Sequence, residues 1–336
     1  MIRARLLKWA SSAVVEETKE SVVKQVWLLS SILVSVGIAF GVAQHVAFLQ
    51  PLSTATPSVP APRRDVPDLP PIDLPAPNTE LEYKLYNLPS SLVHVLWIPA
   101  KKFVVTPVLV DGVATVETIA RKQGAIAVLN GGFFDPANQQ STSFVTVQGK
   151  LVADPRLNER LVNNPDLAPY LDKIFNRSEF RRYQCGEKVE YAIVYHRQPT
   201  PANCQIIDAL GGGPQLLMQP SAAVFEGFVV YDNGRIIRDS LGRREPNART
   251  AIGLTANGDI VWVMVAQKPN APESGMSLET LPKFMETLGV GIALNLDGGS
   301  SSSLYYNGKA VYGKVDEAGM PVKRPIKSAL IVRPKP

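Results

Sequence analysis

Apolar and polar positions divide the chain into three textures. From Val26 to Leu49 apolar residues dominate 24 positions, and no Asp, Glu, Lys or Arg occurs between Gln25 and Pro62. At about 1.5 Å of rise per residue, such a run crosses a bilayer core as a helix. Residues 51–77 hold nine prolines among Ser, Thr and Ala, a composition that favours extended polyproline geometry and packs no core. From about Glu80 the pattern changes to short β-rich runs separated by turn clusters. These runs predict strands at 93–98, 103–110, 125–129, 144–147, 189–195, 224–230, 251–254, 260–266, 292–296, 303–306, 310–312 and 328–332. Helices are predicted at 115–123 and at 280–288, the second with Leu281, Met285 and Leu288 on one face, Pro282 in its first turn and Gly289 as its stop. The expected fold class is α+β: a strand-rich mixed sheet domain with a few packed helices, preceded by one N-terminal transmembrane helix.

Charge orients this picture. Arg3, Arg5, Lys8, Lys19 and Lys24 precede the apolar run and only Arg63 and Arg64 follow it closely, so the positive-inside rule makes residues 1–25 a cytoplasmic leader. Residues 26–49 then contact the lipid bilayer as a signal-anchor, and 50–79 are a Pro-rich linker. Gly41-Val42-Ala43 offers the small residues a signal peptidase needs, but the apolar run continues past them, which favours an uncleaved anchor. Residues 80–336 are expected to fold on the periplasmic or extracellular side. Within them the polar, Arg- and Pro-containing stretch 154–204, with a short helix near 167–175, reads as an insertion or lid. Cys185 and Cys204 are the two cysteines; in an oxidising compartment they either pair or stay as buried thiols. The formal charge of +5 carries no nucleic-acid footprint.

Candidate chemistry gathers at glycine-rich strand ends. Asn295, Asp297, Gly298, Gly299, Ser300 and Ser301 follow one apolar run, and Asn130, Gly131, Gly132 and Asp135 follow another. Both corners place a carboxylate beside flexible backbone, although Asp-Gly and Asn-Gly pairs are also ordinary turn formers. Gly211-Gly212-Gly213 lacks the lysine of a phosphate-binding P-loop but can offer N–H groups to an anion. Arg249-Thr250 puts a guanidinium, the group suited to bidentate phosphate binding, at a strand start. Ser300–Ser303 lack a G-x-S-x-G elbow, and His94 and His196 lie inside strands as structural residues.

The ordered series of these corners resembles the phosphodiester glycosidase family, the domain of the mannose 6-phosphate uncovering enzyme and its bacterial relatives. It consists of NGGFFD, GGGPQLL, RTAIGL, SGMSLETLPKFMETLG, LNLDGGSSSSLYYNG and a terminal RPIKSALIV, across roughly residues 80–334. Membership implies a hydrolase that cleaves a sugar-1-phosphodiester at the glycosidic carbon, here an envelope-anchored enzyme acting on a glycan or glycolipid. The alternative is a non-catalytic glycan-binding or envelope-assembly protein of the same fold. It draws support from Ala266-Gln267-Lys268, which stands where relatives often carry an Asp-Gly-Arg-like stretch.

A leaving phosphate oxygen is weakly basic, so charge neutralisation matters more than acid help. The catalytic candidates are accordingly Arg249 to hold the phosphate, Asp297 beside the anomeric carbon, and Asp135 as partner carboxylate or as the group that orients Asn130. Asn130, Gly131, Gly132, Gly213, Thr250, Asn295, Gly298, Gly299, Ser300 and Ser301 are the substrate-binding candidates. No cofactor is implied; a divalent cation at the two acidic corners is left open, without EF-hand spacing or a His-Cys cluster to specify one.

Overall fold

The computed structural model describes residues 80–217, 221–269, 271 and 274–335. The leader, the expected membrane span 26–49 and the Pro-rich linker lie outside the described residues. Among the described residues no helix is long and apolar enough to cross a membrane.

Strand Ile260–Ala266 organises the domain. Its seven residues are all buried, and a strand sends alternate side chains to opposite faces. Ile260, Trp262, Met264 and Ala266 enter one core, while Val261, Val263 and Val265 enter another. The uninterrupted apolar run is therefore a strand covered on both sides. It lies inside a six-stranded antiparallel sheet whose order is Glu82–Leu88, Ser91–Ile98, Ile260–Ala266, Arg249–Thr255, Val290–Asn295, Gln215–Leu216. The outer face is closed by helix Leu281–Thr287 through Leu281, Phe284 and Met285.

The inner face packs on two five-stranded antiparallel sheets. One runs Lys309–Tyr312, Ser303–Tyr306, Ala127–Asn130, Ile326–Pro334, Phe103–Ala114. In it, Leu129 and Leu330 join the central core whereas Val128 and Ala329 meet Val116, Ile119 and Ala120 of helix Val116–Gln123. The other runs Lys188–Tyr195, Ser178–Cys185, Cys204–Gly211, Val145–Val147, Lys150–Ala153, and contributes Val145, Phe180, Ile193 and Leu210 to the same core. Helix, sheet, sheet and helix thus form layers around one apolar centre, and the strand-rich α+β class holds.

Two expectations need correction. The stretch 154–204, expected as an insertion or lid, is built into a sheet: after short helical turns it forms strand Ser178–Cys185, interior to its sheet, which pairs with the expected strand, Lys188–Tyr195. Its polar texture is misleading because Arg181 is buried, bonded to Glu179 at 2.5 Å and to the carbonyls of Gln198 and His196. The predicted strand at 224–230 begins instead as helix Ala222–Phe225, with strand Val229–Asp232 after it. The turn between them is pinned by Glu226, whose buried carboxylate accepts from the Ser178 and Gln215 backbone N–H groups. Cys185 and Cys204 are register partners on neighbouring strands and are joined by a disulfide.

Candidate active site

The three large sheets each send a glycine-rich strand end to one place. Asn130 closes a central strand of the second sheet, Asn295 closes an inner strand of the first, and Gly211 closes an inner strand of the third. The Gly131 N–H donates to the Ser328 carbonyl at 2.8 Å, the Asp297 N–H to the Gly131 carbonyl at 3.1 Å, and the Gly213 N–H to the Asn295 carbonyl at 2.8 Å. Glycine is required where these backbones meet: a Cβ on Gly132 would collide with the Gly211 carbonyl.

Asn130 is the bolt of this junction. It is fully buried; its Nδ2 donates to the Asp297 carbonyl at 2.6 Å, and its Oδ1 accepts from Thr250 Oγ1 at 2.8 Å and from the Ser303 N–H at 3.0 Å. Its amide fixes the Asp297 main chain, and Asp135 takes no part in orienting it. Asp297 lies half-buried just beyond. Its carboxylate accepts from the Gly298 N–H at 3.0 Å and from Ser301. Loss of water around it pushes its carboxyl up to about 6, against the opposing pull of Ser301, Arg324 and the Gly298 N–H.

Several predicted site residues are brought here but are spent on the framework. Thr250 is buried against Asn130. Asn295 is buried, and its Nδ2 donates to the Gly213 carbonyl at 2.8 Å. The N–H groups expected to assist a phosphate are occupied as well: Gly131 on Ser328 O, Gly132 on Ser328 Oγ, Gly213 on Asn295 O, Gly298 on Asp297 Oδ1 and Gly299 on Ala248 O.

Arg249 is the main correction. Its Nε donates to the Met276 carbonyl at 3.1 Å, Nη1 to Leu241 at 2.9 Å, and Nη2 to Gly242 at 2.8 Å and Glu245 at 2.9 Å. The side chain is buried, and burial pulls its pKa down to about 10 against the attraction of Asp239 and Glu245. A guanidinium that satisfies four backbone carbonyls ties down the 241–245 loop and does not reach out to hold a phosphate.

A cation available beside this corner is Arg324, which was not among the expected site residues although RPIKSALIV begins with it. Its Nη1 donates to Ser300 Oγ at 2.6 Å, and its Cζ stands 5.2 Å from the centroid of the Phe134 ring. It is half-buried, forms no ion pair among the described residues, and attracts the Asp297 carboxylate. Asp135, the second carboxylate, pairs with Arg160 at 2.7 Å and accepts from the Ala137 N–H at 2.8 Å. Partial burial raises its pKa, but these partners outweigh it and hold the group below its ordinary value. Among the described residues no group of three or more His, Cys, Asp or Glu side chains is placed to hold a metal ion. His94 and His196 are framework residues, one bonded to Tyr83 Oη at 2.7 Å and the other to Glu179 at 2.8 Å.

Residues 123–333, which include every group just described except His94 and its partner Tyr83, match the phosphodiester glycosidase family. The chain belongs to this family. The phosphodiester glycosidases are glycosidase-type hydrolases by description, and solved structures share the fold. The catalytic domain of zebrafish N-acetylglucosamine-1-phosphodiester alpha-N-acetylglucosaminidase, auto-inhibited by its pro-peptide, aligns with a TM-score of 0.54 at 18% identity, over 76% of this chain and 83% of that one. A protein of Burkholderia pseudomallei gives 0.53 at 16% identity, over 73% and 74%. A hypothetical protein from Synechocystis gives 0.51 at 17% identity, and this alignment covers 76% of this chain but 62% of the other. No curated protein matches the sequence. At these identities the solved structures establish the fold, and the family assignment rests on the match over residues 123–333.

Proposed function

We propose that this chain is an envelope-anchored hydrolase that cleaves the glycosidic bond of a sugar-1-phosphodiester in a glycan or glycolipid. The observation that carries the reading is the Arg324, Phe134 and Ser300 group beside Asp297, a carboxylate of raised pKa at a junction built from all three sheets. Arg324 holds the phosphate and neutralises charge developing on its bridging oxygen. Asp297, ionised above about pH 6, takes a proton from a water whose oxygen attacks the anomeric carbon. The bond from that carbon to the phosphate oxygen breaks, and the phosphomonoester leaves with the bonding electrons. Because that oxygen is weakly basic, no strong general acid is demanded, and Asp135, held charged by Arg160, is the second anionic wall. The expected membrane span and linker place the domain on the periplasmic or extracellular side, where Cys185 and Cys204 can remain joined.

The rival is a glycan-binding or envelope-assembly protein without turnover. It is favoured by Ala266-Gln267-Lys268, where the charge that relatives often carry is absent or replaced by Lys268, and where Gln267 is buried with its N–H on the Gly313 carbonyl and its Oε1 accepting from the Val315 N–H. Incubating the purified full-length chain with a panel of sugar-1-phosphodiesters in ¹⁸O-labelled water separates the two. Label at the sugar's anomeric hydroxyl, with release of a phosphomonoester, is the expected result. Binding without cleavage, or label in the phosphate, contradicts the hydrolase reading.

A further inference from the structure

The strands also gather charge at the end of the domain opposite the Asn130 and Asp297 corner. Strand Arg249–Thr255 starts at that corner and reaches the turn at 255–259 after about 20 Å, at about 3.3 Å per residue. There Asp259 Oδ1 accepts from the Ala100 N–H at 3.0 Å, which ties this turn to the one at 99–102. The Lys335 N–H donates to the Lys102 carbonyl at 2.8 Å. Arg333 donates through Nε at 3.0 Å and Nη2 at 2.6 Å to the Gln123 carbonyl, at the end of helix Val116–Gln123. One end of the molecule therefore collects Lys101, Lys102, Arg121, Lys122, Arg333 and Lys335. All are exposed except the half-buried Lys335, and none forms an ion pair among the described residues. The acids in the same segments are Glu80, Glu82 and Asp259. The carbonyl end of the helix accounts for Arg121 and Lys122, but not for Lys101, Lys102 or Lys335.

The chain enters the domain at this same end. Glu82 pairs with Trp97, just ahead of the 99–102 turn, and the sequence before Glu80 includes the apolar run 26–49 and the Pro-rich residues 50–79. A Pro-rich linker reaches about 3.1 Å per residue, so 50–79 would keep the domain near a bilayer without setting which way it faces. At the effective concentration that a tether imposes, an attraction too weak to recruit a free protein suffices to orient a tethered one.

We infer that this basic end docks on the anionic headgroups of the bilayer, so that the Asp297 corner faces away from the lipid. The inference rests on the proposed anchoring and narrows the substrate to a glycan beyond the membrane surface, as against a lipid of the same leaflet. The attraction is electrostatic and therefore screened: the Debye length falls from about 8 Å at physiological ionic strength to about 3 Å at about 1 M salt.

The test uses the full-length chain in phosphatidylcholine vesicles with or without phosphatidylglycerol. Cys185 and Cys204 are joined, so a thiol introduced by Asn257→Cys or by Ala318→Cys is the one that takes an environment-sensitive fluorophore. Asn257 is exposed in the 255–259 turn, and Ala318 is exposed at the tip of the hairpin closed by the Val315–Pro321 bridge, ahead of Arg324. With phosphatidylglycerol present, nitroxide-bearing lipid should quench the label at 257 at least about threefold more than the label at 318. Omitting phosphatidylglycerol, raising salt to about 1 M, or combining Lys101→Glu, Lys102→Glu and Lys335→Glu should each bring that ratio toward one. Equal quenching at both positions, stronger quenching at 318, or a ratio indifferent to phosphatidylglycerol and salt overturns the docking while leaving the anchor standing. A chain that floats with neither kind of vesicle removes anchor and docking together, and hydrolysis of a soluble sugar-1-phosphodiester is judged apart from both.

Discussion

Arg249 begins an inner strand of the six-stranded sheet, and Arg324 stands just before strand Ile326–Pro334 of the neighbouring sheet. One guanidinium meets four backbone carbonyls; the other meets a serine hydroxyl and a phenyl ring. The difference follows from what each strand start is packed against. The Leu241, Gly242, Glu245 and Met276 carbonyls converge on the buried Arg249 side chain, and a buried acceptor left unpaired costs about 1–3 kcal/mol, so the arginine is drawn into the framework. Arg324 leaves a hairpin braced by its own backbone bonds, and its guanidinium donates to Ser300 Oγ with further donors left over. Arginine at a strand end is therefore no functional signature until its donors are counted.

The largest effect is expected at the carboxylate that Arg324 attracts. Asp297→Asn should lower kcat/KM by about 10³-fold with the fold retained, and the parent activity should fall as pH drops below about 6, where Asp297 takes up a proton. A flat pH profile, or activity that survives in the variant, would remove Asp297 from the chemistry. The same variant tests the energetics. The folded pKa is raised above the unfolded one, so Asp297 adds stability that is fully present below about pH 4 and lost as pH rises through about 6. Urea unfolding of parent and Asp297→Asn should accordingly diverge across that window, the parent gaining relative stability on acidification.

Arg249→Ala should act on stability in the first place. Removing the guanidinium leaves the Met276, Leu241, Gly242 and Glu245 carbonyls without their donor, at a cost of about 3 kcal/mol. Denaturant unfolding measures it. A variant with parental stability but no turnover would return Arg249 to the phosphate and undo the contrast with Arg324.

Much of the fold was legible because burial writes itself into periodicity. The run Ile260–Ala266 can only be a strand covered on both faces, and helix Leu281–Thr287 shows its apolar stripe, its proline and its glycine stop. Strand Ser178–Cys185, the partner of the expected strand at 189–195, was hidden because it includes a buried Arg181–Glu179 pair, which in sequence has the look of a solvated loop. At the site, Asn130, Asp297 and their glycines were recognisable as strand-end corners, but their division of labour was not. Hydrogen-bond saturation decides it, and the partners of Asn130 stand 120 to 173 residues away in sequence. Arg324 carried the same outward signal as Arg249, a cation ahead of a strand, and only its Ser300 and Phe134 contacts separate the two.

The central claim is that Arg324, beside Asp297, holds the phosphate. Its most direct test is kcat/KM of Arg324→Ala on an active sugar-1-phosphodiester, measured alongside thermal unfolding of the same protein. The account predicts a loss of about 100-fold or more with a parental unfolding temperature, and partial recovery on adding free guanidinium at concentrations too low to denature. Undiminished turnover in the folded variant would contradict it.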